Sequence, residues 1–209
     1  MRLIVLFVFL TCFIGSRGQT LPDQATLMAH APPVFRAAFK TTKGSFVLEV
    51  QRAWSPAGAD RLWQLISTGF YDGNSLFRVQ KNFVVQFGIS DRKDVNFFWD
   101  KRPIPDEEVT QHNLKGTVSY ARDGMNSRTV QLFVNMKDNF KLDTVNYNGL
   151  RGFPPVGKIV EGFETFEALY GDYGFEPANW QDSVMVHGKA YLKGKFPNLD
   201  EILEARLVE

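Results

Sequence analysis

Cysteine and histidine are almost absent from this chain. Cys12 is its one cysteine, and His30, His112 and His187 are its three widely spaced histidines. No thiol pair exists to build a disulfide framework. No Cys/His cluster has metal-ligand spacing, so no metal site is expected. There is no glycine-rich phosphate loop and no GxSxG elbow, and a nucleophile without a well-placed histidine would lack a base. No cofactor is expected. An excess of one charge is missing too: 24 Lys and Arg stand against 23 Asp and Glu, a formal net charge of +1. Without a basic stripe, nucleic acid is not an expected partner. Internal repeats and low-complexity tracts are also absent.

A long apolar run occurs once, at the start. Met1-Arg2 is positive, Leu3 to Ile14 is almost wholly apolar, and Ser16-Arg17-Gly18 places small residues at −3 and −1 of a cleavage site. This is the pattern of a secretory signal peptide over residues 1–18. The run is short for a bilayer span, so no stable membrane insertion is expected. A tether through it is the alternative. Phe9-Leu10-Thr11 before Cys12 fits lipoprotein processing poorly. Cleavage after Gly18 would remove Cys12, Arg2 and Arg17, leaving 22 basic against 23 acidic residues and a net charge of −1. A thiol-free chain suits an oxidising compartment, and a secreted or periplasmic location is expected.

With 44% hydrophobic residues in 209, the chain is long enough for one domain with a sizeable core. Residues 19–33 read as a polar linker. Val34 to Lys40 and Ser45 to Gln51 read as strands around a Thr42-Lys43-Gly44 hairpin turn. Ser55-Pro56 starts a helix, Leu62, Trp63 and Ile66 give it an apolar face, and Gly69 ends it. Strands follow at Ser75 to Gln80, Phe83 to Gly88, Thr117 to Ala121, Val130 to Asn135, Val156 to Val160 and Ser183 to Lys193. Asp91 to Asn113 and Asn139 to Pro155 read as long loops. Gly162 to Tyr170 reads as a short helix. Leu199, Ile202, Leu203 and Leu207 predict a C-terminal helix within residues 194–209. Many short strands with two helices suggest a closed antiparallel β architecture.

One set of polar residues recurs at strand spacing. Side chains alternate along a strand, so Val84 shares a face with Gln86, and Gln131 with Phe133. If these strands are neighbours, one face carries Arg78, Gln86, Gln131 and Phe133 around a groove. By periodicity alone, Arg78 reads equally as a snorkelling surface residue and the glutamines as decoration of the ladder.

Three blocks resemble the cyclophilins, a family of peptidyl-prolyl cis–trans isomerases. The first is GFYDGNSLFRVQKNFVVQFG, against YDG, Phe-His-Arg, then Phe and Gln-Gly-Gly. The second is GTVSYARDGMNSRTVQLFVN, against GxxSMA, a glycine loop and SQFFI. The third is Leu142-Asp143 followed by FPPVGKIVEGFE, against LD and VFGxVxxGM. The resemblance spans about Val34 to Lys193. It implies a closed eight-stranded antiparallel barrel capped by two helices, acting as a monomer on proline-containing polypeptides. It implies Arg78 as the catalytic arginine, assisted by Gln86, and Phe83, Val84, Phe133 and Leu142 as the proline pocket. Gln131 matches a groove glutamine, Ala121 and Arg122 the segment whose backbone pairs with the peptide, and Phe153 a further pocket position.

Departures from the family pattern are few. Phe77 stands for the His before the arginine, Leu76 for the Phe before that, Phe87 for a glycine and Leu132 for a phenylalanine. Lys141 stands where many members carry Trp, implying weaker binding of cyclosporin-type ligands. Phe77 and Phe87 are expected to narrow or reshape the groove. The expected function is therefore prolyl isomerisation, with a non-catalytic module that grips proline-containing segments as the alternative.

Overall fold

The computed structural model describes residues 19–147 and 149–208; the signal-peptide reading of residues 1–18 lies outside them. Alternation in Val34–Thr41 makes strand β1, whose Phe35, Ala37, Phe39 and Thr41 are buried. β2, Gly44–Gln51, folds back on it with Phe39 opposite Phe46, and the two rings stack at 4.7 Å. Both are almost fully buried, each contributing about 1.5–3 kcal/mol of apolar transfer. The remaining strands are β3 (Arg78–Val79), β4 (Val84–Phe87), β5 (Thr117–Tyr120), β6 (Leu132–Asn135), β7 (Asn146–Tyr147), β8 (Leu150–Arg151), β9 (Pro155–Glu161) and β10 (Ile202–Val208). β7 and β8 form a small ribbon. The other eight form one antiparallel sheet in the order β10-β1-β2-β9-β5-β6-β4-β3. The sheet is curled into a half-barrel. Its ladders stop at β10 and β3, where the residues before β3 meet the start of β10 and the residues before it. Ser75 bridges Glu201, Gly73 N–H donates to Ile202 O, and Leu76 N–H donates to Asp200 O.

The helices are α1 (Gln24–Met28), α2 (Pro56–Ser67), α3 (Lys93–Asp100), α4 (Lys141–Thr144), α5 (Glu164–Glu167), α6 (Gln181–His187) and α7 (Lys189–Lys195). α2 begins at Pro56 as expected, buries Ala59, Leu62, Leu65 and Ile66, and is followed by Gly69 at φ 66°. Ser55 does not cap it. Its hydroxyl donates to Glu107 instead, and the Glu107 carboxylate accepts the Ala57 N–H at 2.7 Å. A distant acid thus satisfies the orphan donor that a local serine was expected to take.

Four expectations are corrected. Ser183–Lys193 is not a strand. Gly188, at φ 69°, separates α6 from α7, and Val184 and Leu192 are buried together with Phe77, Ile89, Ala178 and Phe196 in a second core cluster. The C-terminal residues are not a helix. β10 pairs antiparallel with β1 from Arg36–Val208 to Thr41–Ile202, because the open edge of β1 offers hydrogen bonds that an isolated short helix cannot match. Residues 202–208 are therefore part of the sheet and not a helical appendage to it. The 91–113 connection contains α3, which buries Val95 and Trp99. Residues 19–33 are a docked arm. The Gln19 amide donates to Phe70 O and Asp72 O, and the Gln64 amide donates to Leu27 O and Ala29 O.

Candidate active site

The hairpin β3–β4 sets Arg78 directly opposite Gln86, and β4–β6 sets Gln86 opposite Phe133. Directly paired residues share a sheet face, so these three form a row across three strands. Val84, two residues before Gln86, is buried at the same face.

Hydrogen bonds hold the polar part of the row. Arg78 Nε donates to Gln80 Oε1 at 2.7 Å, and Arg78 Nη1 to Gln86 Oε1 at 3.2 Å. Gln86 Nε2 donates in turn to Gln131 Oε1 at 2.8 Å. Two amide oxygens thus aim the guanidinium, and a third fixes the amide that aims it. No carboxylate pairs with Arg78 among the described residues. Burial alone draws its pKa down from the ordinary arginine value, and the group remains a cation. Its flanks are aromatic: the Phe83 ring centroid lies 5.4 Å from Cζ and that of Phe175 4.7 Å.

The apolar part lies farther along the row. Phe133 is 6% exposed and meets Phe153 edge-on at 5.7 Å. Leu142 is half-buried on α4, and its carbonyl accepts the Phe153 N–H at 2.7 Å. Asp143 beside it accepts from Asn113 N–H and Nδ2 and contacts His112 Nδ1. Burial pushes that carboxyl up, but the hydrogen bonds from Asn113 and His112 outweigh it and hold the pKa below the usual value.

Ala121 and Arg122 flank the far end. The Ala121 N–H donates to Gln131 O at 2.9 Å. The Arg122 side chain is buried rather than exposed to the groove. It pairs with Asp106 at 3.3 Å, bonds Gly152 O, and lies 4.9 Å from the Phe153 ring. Asp106 and Arg122 therefore brace the wall that Phe153 forms.

The structure thus brings Arg78, Gln86, Gln131 and Phe133 into one row, with Phe83 beside Arg78, Phe153 beside Phe133 and Leu142 bonded to Phe153, whereas the Arg122 side chain turns inward to Asp106. It overturns the expectation for Phe77 and Phe87. Alternation turns both away from the row: Phe77 enters the second cluster, and Phe87 packs in the main core between Phe39 and Tyr71. Neither narrows the groove. Gln80 and Phe175 escaped the sequence reading. Gln80 had a signal, since it follows Arg78 by two residues and shares its side of the strand. Phe175 had none, being almost a hundred residues away. Lys141 is exposed on α4. Among the described residues, no group of His, Cys, Asp or Glu could hold a metal ion, and no helix is long and apolar enough to cross a membrane.

The family model described as cyclophilin type peptidyl-prolyl cis-trans isomerase/CLD matches residues 36–182. Peptidyl-prolyl cis-trans isomerase A of Dickeya dadantii is 31% identical over 133 residues, covering 62% of this chain and 67% of the relative. The human peptidyl-prolyl cis-trans isomerase-like 3 is 29% identical over 133 residues, covering 62% of this chain and 78% of its own. Among solved structures, a cyclophilin type isomerase of Cryptosporidium parvum aligns with a TM-score of 0.60 at 17% identity, covering 84% of this chain and 98% of that one. A second structure of a cyclophilin type isomerase from that organism, in the presence of the dipeptide Ala-Pro, aligns with a TM-score of 0.59 at 17% identity, covering 83% of this chain and 99% of that one. Both likenesses concern the fold.

Proposed function

The chain belongs to the cyclophilin-type peptidyl-prolyl cis-trans isomerase family, and we propose that it catalyses X–Pro rotation in the groove built on Arg78, Gln86 and Phe133. The barrier to be lowered is about 18–20 kcal/mol, and uncatalysed exchange takes tens to hundreds of seconds. No bond is made and no proton moves. The enzyme has only to bind the twisted amide better than either planar form. On twisting, the prolyl nitrogen loses resonance and gains lone-pair character. Arg78 can donate to that nitrogen and to the proline carbonyl. Phe133, Phe153, Phe83, Val84 and Leu142 hold the ring while the preceding carbonyl swings.

One observation carries this reading: a half-buried guanidinium with no carboxylate partner among the described residues, aimed by Gln80 and Gln86. An arginine already neutralised by an acid would have less to offer the twisted amide. A charge-assisted hydrogen bond is worth about 1.5–3 kcal/mol, so Arg78→Ala should lower kcat/KM on a short X–Pro peptide on the order of 10- to 100-fold. Circular dichroism should show the fold retained. An unchanged rate would overturn the mechanism. Tight binding of the peptide by the wild-type chain without acceleration would favour the non-catalytic module.

The proposal extends to setting. The clients are proline-containing polypeptides, the active form is a monomer, and residues 1–18 are removed on export to a secreted or periplasmic location. N-terminal sequencing of the exported protein should then begin at Gln19. The curled sheet acts mechanically as a closed barrel, which the bridge between Ser75 and Glu201 supports.

A further inference from the structure

β3 is the last strand of the sheet on the groove side, yet its outer edge is not bare. Val79 N–H donates to Gly174 O at 3.2 Å, so the segment leading out of α5 runs beside β3. That segment delivers Phe175 to Arg78, with the ring centroid 4.7 Å from Cζ. Phe175 is 46% exposed, whereas its neighbours Tyr173 and Ala178 pack into the second core cluster. The ring is therefore anchored through buried flanking residues and presents a free face. Next to Gly174, the residue before Phe175, lies an open cleft of about 430 Å³ whose walls combine Val79 and Phe83 with the polar Gln80, Lys81, Asn82 and Asp172. That volume is in the range of small-ligand sites.

The groove has a direction. Its parts follow the strand order from Ala121 after β5, through Phe133 on β6 and Gln86 on β4, to Arg78 on β3. On the function proposed above, backbone preceding the proline lies at Ala121–Arg122, the ring at Phe133 and the proline carbonyl at Arg78. The chain that follows the proline is then led past Arg78, towards residues 171–175. We infer that Phe175 and the cleft beside it form a subsite for the residue following the proline, selecting an aromatic side chain there. An aromatic client residue can stack on the exposed face of Phe175 or enter the cleft against Phe83, whereas alanine leaves both wet. This inference rests on the isomerase reading for its direction.

The test compares X-Pro-Phe with X-Pro-Ala peptides. Wild type should favour the first by about two- to tenfold in kcat/KM, the range of an aromatic pair. Phe175→Ala should bring the ratio close to one, chiefly through KM, and Phe175→Leu should give an intermediate ratio. Trp180→Ala, which removes an exposed aromatic stacked on Lys195 and Tyr191 instead, should leave the ratio as in wild type. A ratio that is unchanged in Phe175→Ala, or already one in wild type, overturns the subsite. If wild type shows no turnover on either peptide, the isomerase reading fails. Dissociation constants from calorimetry then supply the same ratio and still decide for or against Phe175.

Discussion

Arg78 owes its standing to what is missing around it. Burial without a carboxylate is unfavourable for a cation, and Gln80, Gln86, Phe83 and Phe175 soften that cost without cancelling the charge. Gln86 is accordingly a positioning group. Gln86→Leu should lower kcat/KM about two- to tenfold, less than Arg78→Ala because Gln80 still aims the guanidinium, and leave the charge of Arg78 in place. Stopped-flow assays on the same peptide as for Arg78→Ala would measure it, and a loss as large as that of Arg78→Ala would mean that Gln86 acts in its own right. Arg78, Gln86 and Phe133 were legible in the sequence because they are direct cross-strand neighbours and strand periodicity keeps them on one face. Phe175 was not, because a contact between residues so far apart leaves no periodic trace in either segment.

The elements that escaped the sequence did so for related reasons. Val184, Met185 and Val186 make an apolar run that suits a strand or a buried helix equally. What decides for helix is the second core cluster, to which the body of the fold contributes Phe77 and Ile89. Phe77→Ala should destabilise the chain by about 3–5 kcal/mol, read from urea unfolding, and should loosen α6 and α7 before the main sheet in hydrogen exchange. Equal protection loss across both would mean that the two clusters are one cooperative unit. Leu199, Ile202, Leu203 and Leu207 mimic a helical stripe, but the partner that makes Ile202–Val208 a strand is β1, far away in sequence. Ile202 and Ala205 are fully buried. Ile202→Ala should therefore cost about 2–5 kcal/mol, read from urea unfolding, and a negligible loss would mean that β10 adds little to the core.

At the scale of the whole molecule, the arm of residues 19–31 is clamped by Asp60. Its carboxylate accepts from Arg52 Nε and Nη2 at 2.8 and 2.9 Å and from the Ala31 N–H at 2.8 Å, and meets His30 Nδ1 at 2.6 Å. Burial alone would raise its pKa, but these bonds outweigh burial and hold it at about 2, below the ordinary aspartate value. A depressed carboxylate gives stability that is fully present above its unfolded pKa and is lost as pH falls through the folded one. The Tm gap between wild type and Asp60→Asn should hence be widest above about pH 4 and close towards about pH 2. A gap independent of pH would show that Asp60 acts through shape alone. The pairing of β1 with β10 sets a further condition, on synthesis. Phe39 pairs with Ala205, so β1 waits for roughly 160 more residues to be made, on the order of 10–30 s at ribosomal speeds. A nascent chain halted before Ile202 lacks the partner of β1 and should stay protease-sensitive. Pairing of β1 along its outer edge is thereby made conditional on the synthesis of residues 202–208.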